Sequence, residues 1–382
     1  MRVSGFTSTG SKRPLSLFGG ASDDLPHRMT RSQGSRVWDE HGREYLDFIS
    51  ALGAVGLGYG HPHVIRAAAE AMERGGIGPL APVDEEHLAE ELVLLMPGLE
   101  EVRFLKTGAE AVAAAVRLAR TATGRDRVLG CGYHGWLDWC SSDRGVPAAV
   151  AGLYGALPFN DPEQSIALLR QAGDALACVV IEPVIDAAPS QEWLHALREE
   201  TWRLGAVLIY DEIKTAFRVA EGGAMMRWGG DPDLVVVGKA LASGFPLAAV
   251  GGRAEVMRRA NDTWISSTMA TDFVSFAAAR ATLAAVREVG LPARLAETGG
   301  VLFEGLKRLA AAHPTRVVAS GIPEMCYLRF ADERDSQRAA QGCARRGLLF
   351  KRTAYNFVTL AHTDADVSRA LGILDEVLRE TA

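Results

Sequence analysis

The chain has 382 residues, of which 48% are hydrophobic and 23% charged, and a formal net charge of −6. That length exceeds what one core usually holds and points to two domains, or to one large domain with an appended lobe. The mildly acidic balance offers no footprint for nucleic acid or an anionic membrane, and no apolar run approaches the length of a membrane span.

Residues 1 to about 35 are rich in Gly, Ser, Thr and Pro and read as irregular, and the opening MRVSGFTSTGSKRP has no apolar signal core. SRVWDEHGREYLDFIS follows, with EHG as the turn of a hairpin between Arg36-Val37-Trp38 and Tyr45-Leu46-Asp47-Phe48. HPHVIRAAAEAMERG predicts a helix ending at Gly75, and VDEEHLAEELVLLMPG another ending near Pro97-Gly98. From residue 102 strands and helices alternate. The strands are VRFLK, RVLGCG, ACVVIEP, AVLIYDE, LVVVGK and LAAVGG; the helices between most of them are AEAVAAAVRLART, PEQSIALLRQAG and WLHALREETWRLG. The strands are short and apolar without clean alternation, as in a sheet covered on both faces. The fold class is therefore α/β, with a mostly parallel, doubly wound sheet in a large domain. A long helix starts after residue 271. Beyond it, VVASGIPEMCYLRF and GLLFKRTAYNFVTLAHT read as strands of a smaller α+β domain. The expected division is 1–48 as an N-terminal part of the small lobe, 49–289 as the large domain and 290–382 as the small one. The five cysteines (Cys131, Cys140, Cys178, Cys326, Cys343) are odd in number and lack CxxC spacing, so they read as free thiols of a reducing cytoplasm.

In such sheets ligands bind beyond the carboxyl ends of the strands. Thr107, Tyr133-His134, Glu182, Asp211-Glu212 and Lys239 all fall there. Each alone reads equally well as a solvated strand end; five strands delivering polar groups to one edge is a stronger pattern. The chain has only six lysines against 35 arginines. Lys239 alone combines a wholly apolar strand, a glycine before it and a glycine-containing turn after it. A desolvated lysine loses part of its preference for the protonated form and becomes a nucleophile able to form a Schiff base. Asp211, at the mouth of a central strand, is placed to hold a cation, and a pyridinium nitrogen fits that role. In KTGAEA, residues 106–111, a strand turns at Thr107-Gly108 into a helix. The free N–H groups of that helix start make a phosphate site, which is compatible with Thr107 acting as a plain N-cap. Tyr133 could stack on a flat heterocycle, although alone it reads equally as loop anchoring. Together these four features describe pyridoxal 5'-phosphate.

On those residues the chain resembles a fold-type I, class III (subgroup II) pyridoxal-phosphate-dependent aminotransferase of the glutamate-1-semialdehyde aminomutase-like branch. YLDFISALGAVGLGYGHP, VRFLKTGAEA, YHG, VVIEPV, LIYDEIKTAFR, DPDLVVVGKALASGFPLAAVGG and AHTDAD occur in the family's order, over nearly the whole chain. The resemblance implies that Lys239 is the Schiff-base lysine and proton shuttle and that Asp211 is the partner of the ring nitrogen. It makes Gly108 and Ala109 phosphate-cup backbone beside Thr107, Tyr133 the stacking ring with His134 beside it, and Glu182 a strand-end glutamate near the cofactor. It also implies a homodimer with shared active sites, in which Thr268 reaches the phosphate bound by the neighbouring subunit.

Departures from the family fall mostly on the substrate side. SGTEA becomes TGAEA, so Ala109 lacks a hydroxyl; TGFR becomes TAFR; a tryptophan of the aminomutases corresponds to Leu52; and the GTLSGNP loop becomes STMATDF. The chain is also short for the family, trimmed around residues 141–156. The expected activity is transfer of an amino group from an amino-acid donor to an aldehyde or ketone acceptor, in amino-sugar, cyclitol or secondary-metabolite biosynthesis. The alternatives are an isomerase (a 2,1-aminomutase or an epimerase) and a non-catalytic cofactor-binding protein. GAVGLGYG at 53–60 imitates a dinucleotide loop but links no strand to a helix start, and His61 and His63 lack the carboxylates or thiols of a metal site.

Overall fold

The computed structural model describes residues 2–380. It divides into two compact units: His63–Glu288, and the segments before and after it taken together.

The larger unit is built on a seven-stranded sheet. In spatial order its strands are Glu101–Leu105, Ala248–Gly252, Leu234–Val237, Val207–Asp211, Leu176–Ile181, Arg127–Cys131 and Tyr154–Ala156. Ala248–Gly252 runs antiparallel to both of its neighbours, and the remaining pairs are parallel. Two reversals restore direction, so Glu101–Leu105 ends on the same edge as the parallel strands. Register aligns those ends: Cys131 faces Ile181, Ile181 faces Tyr210, and Asp211 faces Val236. The edge strand Tyr154–Ala156 has no sequence signal, since three residues cannot display a period.

The apolar strands fail to alternate because both faces are covered. Leu208, Tyr210, Val235 and Val237 join a core with Leu88, Leu169, Trp193 and Phe276 from helices Val83–Leu95, Pro162–Ala172, Gln191–Leu204 and Phe273–Val289. The residues between them, Val207, Ile209, Leu234 and Val236, face a second core with Ala111, Val112 and Ala115 of helix Gly108–Thr123. Each such side chain contributes about 1.5–3 kcal/mol by leaving water. Helix Gly108–Thr123 starts at Thr107, whose hydroxyl accepts from Glu110 N while the Glu110 carboxylate accepts from Thr107 N; left-handed Gly124 ends it. A cap of this kind contributes about 1 kcal/mol.

In the other unit both ends of the chain share a sheet. Met29–Gln33, Arg36–Asp39 and Glu44–Asp47 form an antiparallel meander, and Leu348–Leu349 pairs parallel with the last of them. Residues before 35 are thus less irregular than their composition suggests. Met29–Gln33 is an exposed polar edge strand, so it lacks apolar alternation, and Gly34 at φ 58° supplies the turn after it. Val317–Ile322, Met325–Phe330 and Asn356–Phe357 make a second, antiparallel sheet. Residues 49–62 belong to this unit: Ser50 Oγ donates to Phe357 O (2.9 Å) and Leu360 N to Gly56 O (2.9 Å).

Candidate active site

The site lies wholly in the larger unit, along the carboxyl edge of its sheet. The chain leaves Val237 through extended Gly238 and enters a left-handed conformation at Lys239, φ 45°. A residue with a side chain adopts that region only when its surroundings hold it there, and such strain gathers at functional sites. Lys239 is mostly buried, and among the described residues its amine has no hydrogen-bond or ion-pair partner. Burial brings its pKa down from 10.5 to about 8; Glu182 and Asp211 oppose the fall, and Lys214 and Arg218 add to it. The amine therefore sheds its proton far more readily than an exposed lysine, although it is still mostly charged at pH 7.

Asp211, at the end of its strand, is 2% exposed. One carboxylate oxygen accepts from Ile213 N (3.2 Å) and the other lies 2.9 Å from His134 Nδ1. An ionised carboxylate only accepts, so Nδ1 carries the hydrogen. His134 is buried and stacks on Trp139 at 6.2 Å between ring centroids. It thereby orients Asp211 from behind. Glu212 pins the loop that follows: its carboxylate accepts from Ala224 N and Met225 N (2.8 Å each) and from the Thr215 hydroxyl. Burial raises the Glu212 pKa to about 7.

Ile213 joins the pieces. A Cβ on Gly108 would stand 2.6 Å from Ile213 Cδ1, and one on Gly238 would meet Ile213 Cγ2 at 3.7 Å. The start of helix Gly108–Thr123, the loop after Asp211 and the approach to Lys239 thus meet at one point. Gly135 packs as closely on Ala109, where an added Cβ would lie 2.6 Å from the alanine methyl. The first backbone bond of the helix is Ala111 N to Thr107 O, which leaves the N–H groups of Gly108 and Ala109 ahead of it. Tyr133 is 70% exposed, and its N–H donates to Glu182 (2.9 Å). The other oxygen of Glu182 pairs with Lys214 Nζ at 2.9 Å.

The structure therefore gathers Lys239, Asp211, Thr107, Gly108, Ala109, Tyr133, His134 and Glu182. It does not bring in Thr268, which is exposed at the start of the short turn Thr268–Thr271, with no contact to the cluster among the described residues. Lys106, just before that helix start, is committed elsewhere: it pairs with Asp272 and donates to Pro246 O and Ser275 Oγ (2.9 Å each). Sequence reasoning missed Lys214 and Arg218, both buried and both acting on Lys239. The available signal was the rarity of lysine, with Lys214 three residues past a strand-end carboxylate.

The donor set suits a flat, phosphorylated pyridine aldehyde. It offers an amine that burial makes easy to deprotonate, a buried carboxylate with one hydrogen bond on each oxygen, a helix start with spare N–H groups, and glycines where any side chain would intrude. His134 Nε2 is a buried polar atom without a partner among the described residues.

Comparisons with known proteins agree. The class III aminotransferase family model matches residues 19–378. The glutamate-1-semialdehyde 2,1-aminomutase of Neisseria meningitidis serogroup C is 33% identical over 412 aligned positions, covering 98% of this chain and 96% of the relative. That of Desulfatibacillum aliphaticivorans is 33% identical, with 97% and 96% covered. Among solved structures, the internal aldimine form of the FumI protein of Sphingopyxis sp. MTA144 superposes with a TM-score of 0.91 at 26% identity, covering 97% of this chain and 92% of that one. An omega-transaminase of Sphaerobacter thermophilus gives 0.87 at 26%, covering 98% of each chain. The chain belongs to the class III aminotransferases, has the fold-type I architecture, and takes pyridoxal 5'-phosphate as its cofactor.

Proposed function

We propose that this protein is an aminotransferase that moves an amino group from an amino-acid donor to an aldehyde or ketone acceptor of a biosynthetic pathway. The observation that carries this reading is the buried amine of Lys239, free of any carboxylate partner among the described residues and made easier to deprotonate by burial, on the same sheet edge as a buried Asp211. When bound, pyridoxal phosphate supplies a carbonyl that takes up the amino group and a ring that withdraws electrons from the neighbouring carbon. Lys239 Nζ would hold the cofactor and, once free, would take the proton from the donor's Cα. Asp211 would hold a positive charge on the ring nitrogen, with His134 keeping that carboxylate in place. The N–H groups of Gly108 and Ala109 would hold the phosphate. Tyr133 would stack on the ring, with Glu182 fixing the Tyr133 loop.

The solved omega-transaminase at 26% identity supports amino transfer. So do Leu52 and the STMATDF stretch, both on the substrate side of the family's pattern. The 33% identical relatives favour a second reading, an isomerase that keeps the amino group on one carbon skeleton. A homodimer belongs to the proposal. Leu80, Leu94 and Trp264, each more than 80% exposed, are large apolar side chains that a partner chain would cover. Thr268, also exposed, would serve the partner's phosphate. Five free cysteines support a reducing cytoplasm.

The test is a half-reaction. L-glutamate, L-glutamine and L-alanine are added singly to the cofactor-loaded protein. Loss of the yellow band with stoichiometric release of the matching keto acid is expected. A yellow protein that answers no donor but isomerises glutamate-1-semialdehyde unaided would overturn the transfer reading in favour of the isomerase.

A further inference from the structure

We propose that Lys214 is a positioning residue of this site: paired with Glu182, it cancels that carboxylate's field at the Lys239 amine and fixes the loop that carries Tyr133 and His134. The inference rests on the reading that Lys239 carries the cofactor.

The geometry is that of a buried pair at two adjacent strand ends. Glu182 follows Ile181 and Lys214 lies three residues past Asp211, in strands whose register sets Ile181 beside Tyr210. Lys214 Nζ is 2.9 Å from Glu182 Oε1, and the two side chains are 8% and 7% exposed. Glu182 Oε2 accepts from Tyr133 N at 2.9 Å. A Cβ on Gly132 would come within 2.6 Å of that same oxygen, so the loop lies directly on the carboxylate. The charged groups that act on Lys239 come from each element around it: Glu182 from one strand end, and Asp211, Lys214 and Arg218 from the next strand end and its loop. His134, from the Arg127–Cys131 strand end, faces Asp211. In this low-dielectric setting an unopposed Glu182 would favour a cation at Lys239. Lys214 opposes it from hydrogen-bond distance.

Two single variants should act in opposite directions. In Lys214→Met the anion is unopposed, and protonation next to Lys239 becomes easier. In Glu182→Gln the anion is lost, and protonation becomes harder. The readout is the pH midpoint of the visible absorbance band of the cofactor-loaded protein, with the pH profile of the rate of cofactor uptake by the stripped full-length chain as a second measure. Lys214→Met should move both upward by about one pH unit, and Glu182→Gln downward by a similar amount. Lys214→Arg should restore the wild-type values, and the double variant Lys214→Met with Glu182→Gln should fall between the two singles. Midpoints that do not move in either single variant, or that move the same way in both as a merely loosened site would give, overturn the inference. A wild-type protein that forms no visible band with the cofactor would instead overturn the reading on which it rests.

Discussion

The two edges of the seven-stranded sheet bury charge in opposite ways. At the amino edge, Asp233 precedes Leu234 and is saturated. It accepts from Leu208 N (2.7 Å) and pairs with Arg198 (2.9 Å) and Arg253 (3.3 Å). At the carboxyl edge, among the described residues, Asp211 meets only a histidine and one backbone N–H, and Lys239 has no hydrogen-bond or ion-pair partner. Burial is alike, at 7% and 2% exposure for the two aspartates. What differs is the capacity left open. A carboxylate ringed by guanidinium groups is a structural tie, whereas a carboxylate and an amine left unsatisfied in the same sheet keep their bonding for a ligand. Burying a group this way costs stability, and only function offsets the cost.

The contrast can be broken by substitution at either edge. The largest expected effect is at Lys239. Lys239→Ala should lose turnover by at least roughly 10³-fold and abolish the yellow band, with the circular dichroism spectrum unchanged. Asp211→Asn should lower the half-reaction rate on the order of 10²-fold while leaving the phosphate grip in place. At the other edge, Asp233→Ala should cost about 3 kcal/mol in denaturant unfolding, because it strands Arg198, yet the protein that folds should still bind the cofactor. Lys239→Met should go the opposite way and stabilise the cofactor-free protein near neutral pH by roughly 3–4 kcal/mol, the equivalent of the fall from 10.5 to about 8. Between pH 8 and 10.5 the unfolded chain holds a proton that the folded chain has shed. Wild-type stability should therefore rise with pH across that window, and the advantage of the variant should fade. The smallest effect is at Thr107, where Thr107→Ala should cost about 1 kcal/mol through the lost cap.

The carboxyl edge was more legible in the sequence than the amino edge. A lysine after four buried aliphatics, an aspartate closing another such run and a Thr-Gly before an alanine-rich helix each violate what a plain buried strand would carry, so they stand out without coordinates. Asp233 stands at the same kind of boundary, but its partners Arg198 and Arg253 come from distant segments, and no local spacing pairs them. For the same reason the Glu182–Lys214 pair was hidden: the two residues are brought together by strand register alone. His134 was legible as a neighbour of the stacking tyrosine, while its hold on Asp211 spans 77 positions and needed the fold. Elements too short or too polar to show a period, such as Tyr154–Ala156 and Met29–Gln33, appear only once their partners are in place.

The most direct test of the account is to trap the cofactor on the protein. The loaded wild-type chain is reduced with borohydride, digested, and searched by mass spectrometry for a lysine that carries the cofactor. The account predicts one modified peptide bearing the label on Lys239. A label on Lys214 or Lys106 in place of Lys239 would contradict it, because both of those amines are committed to carboxylates in this fold.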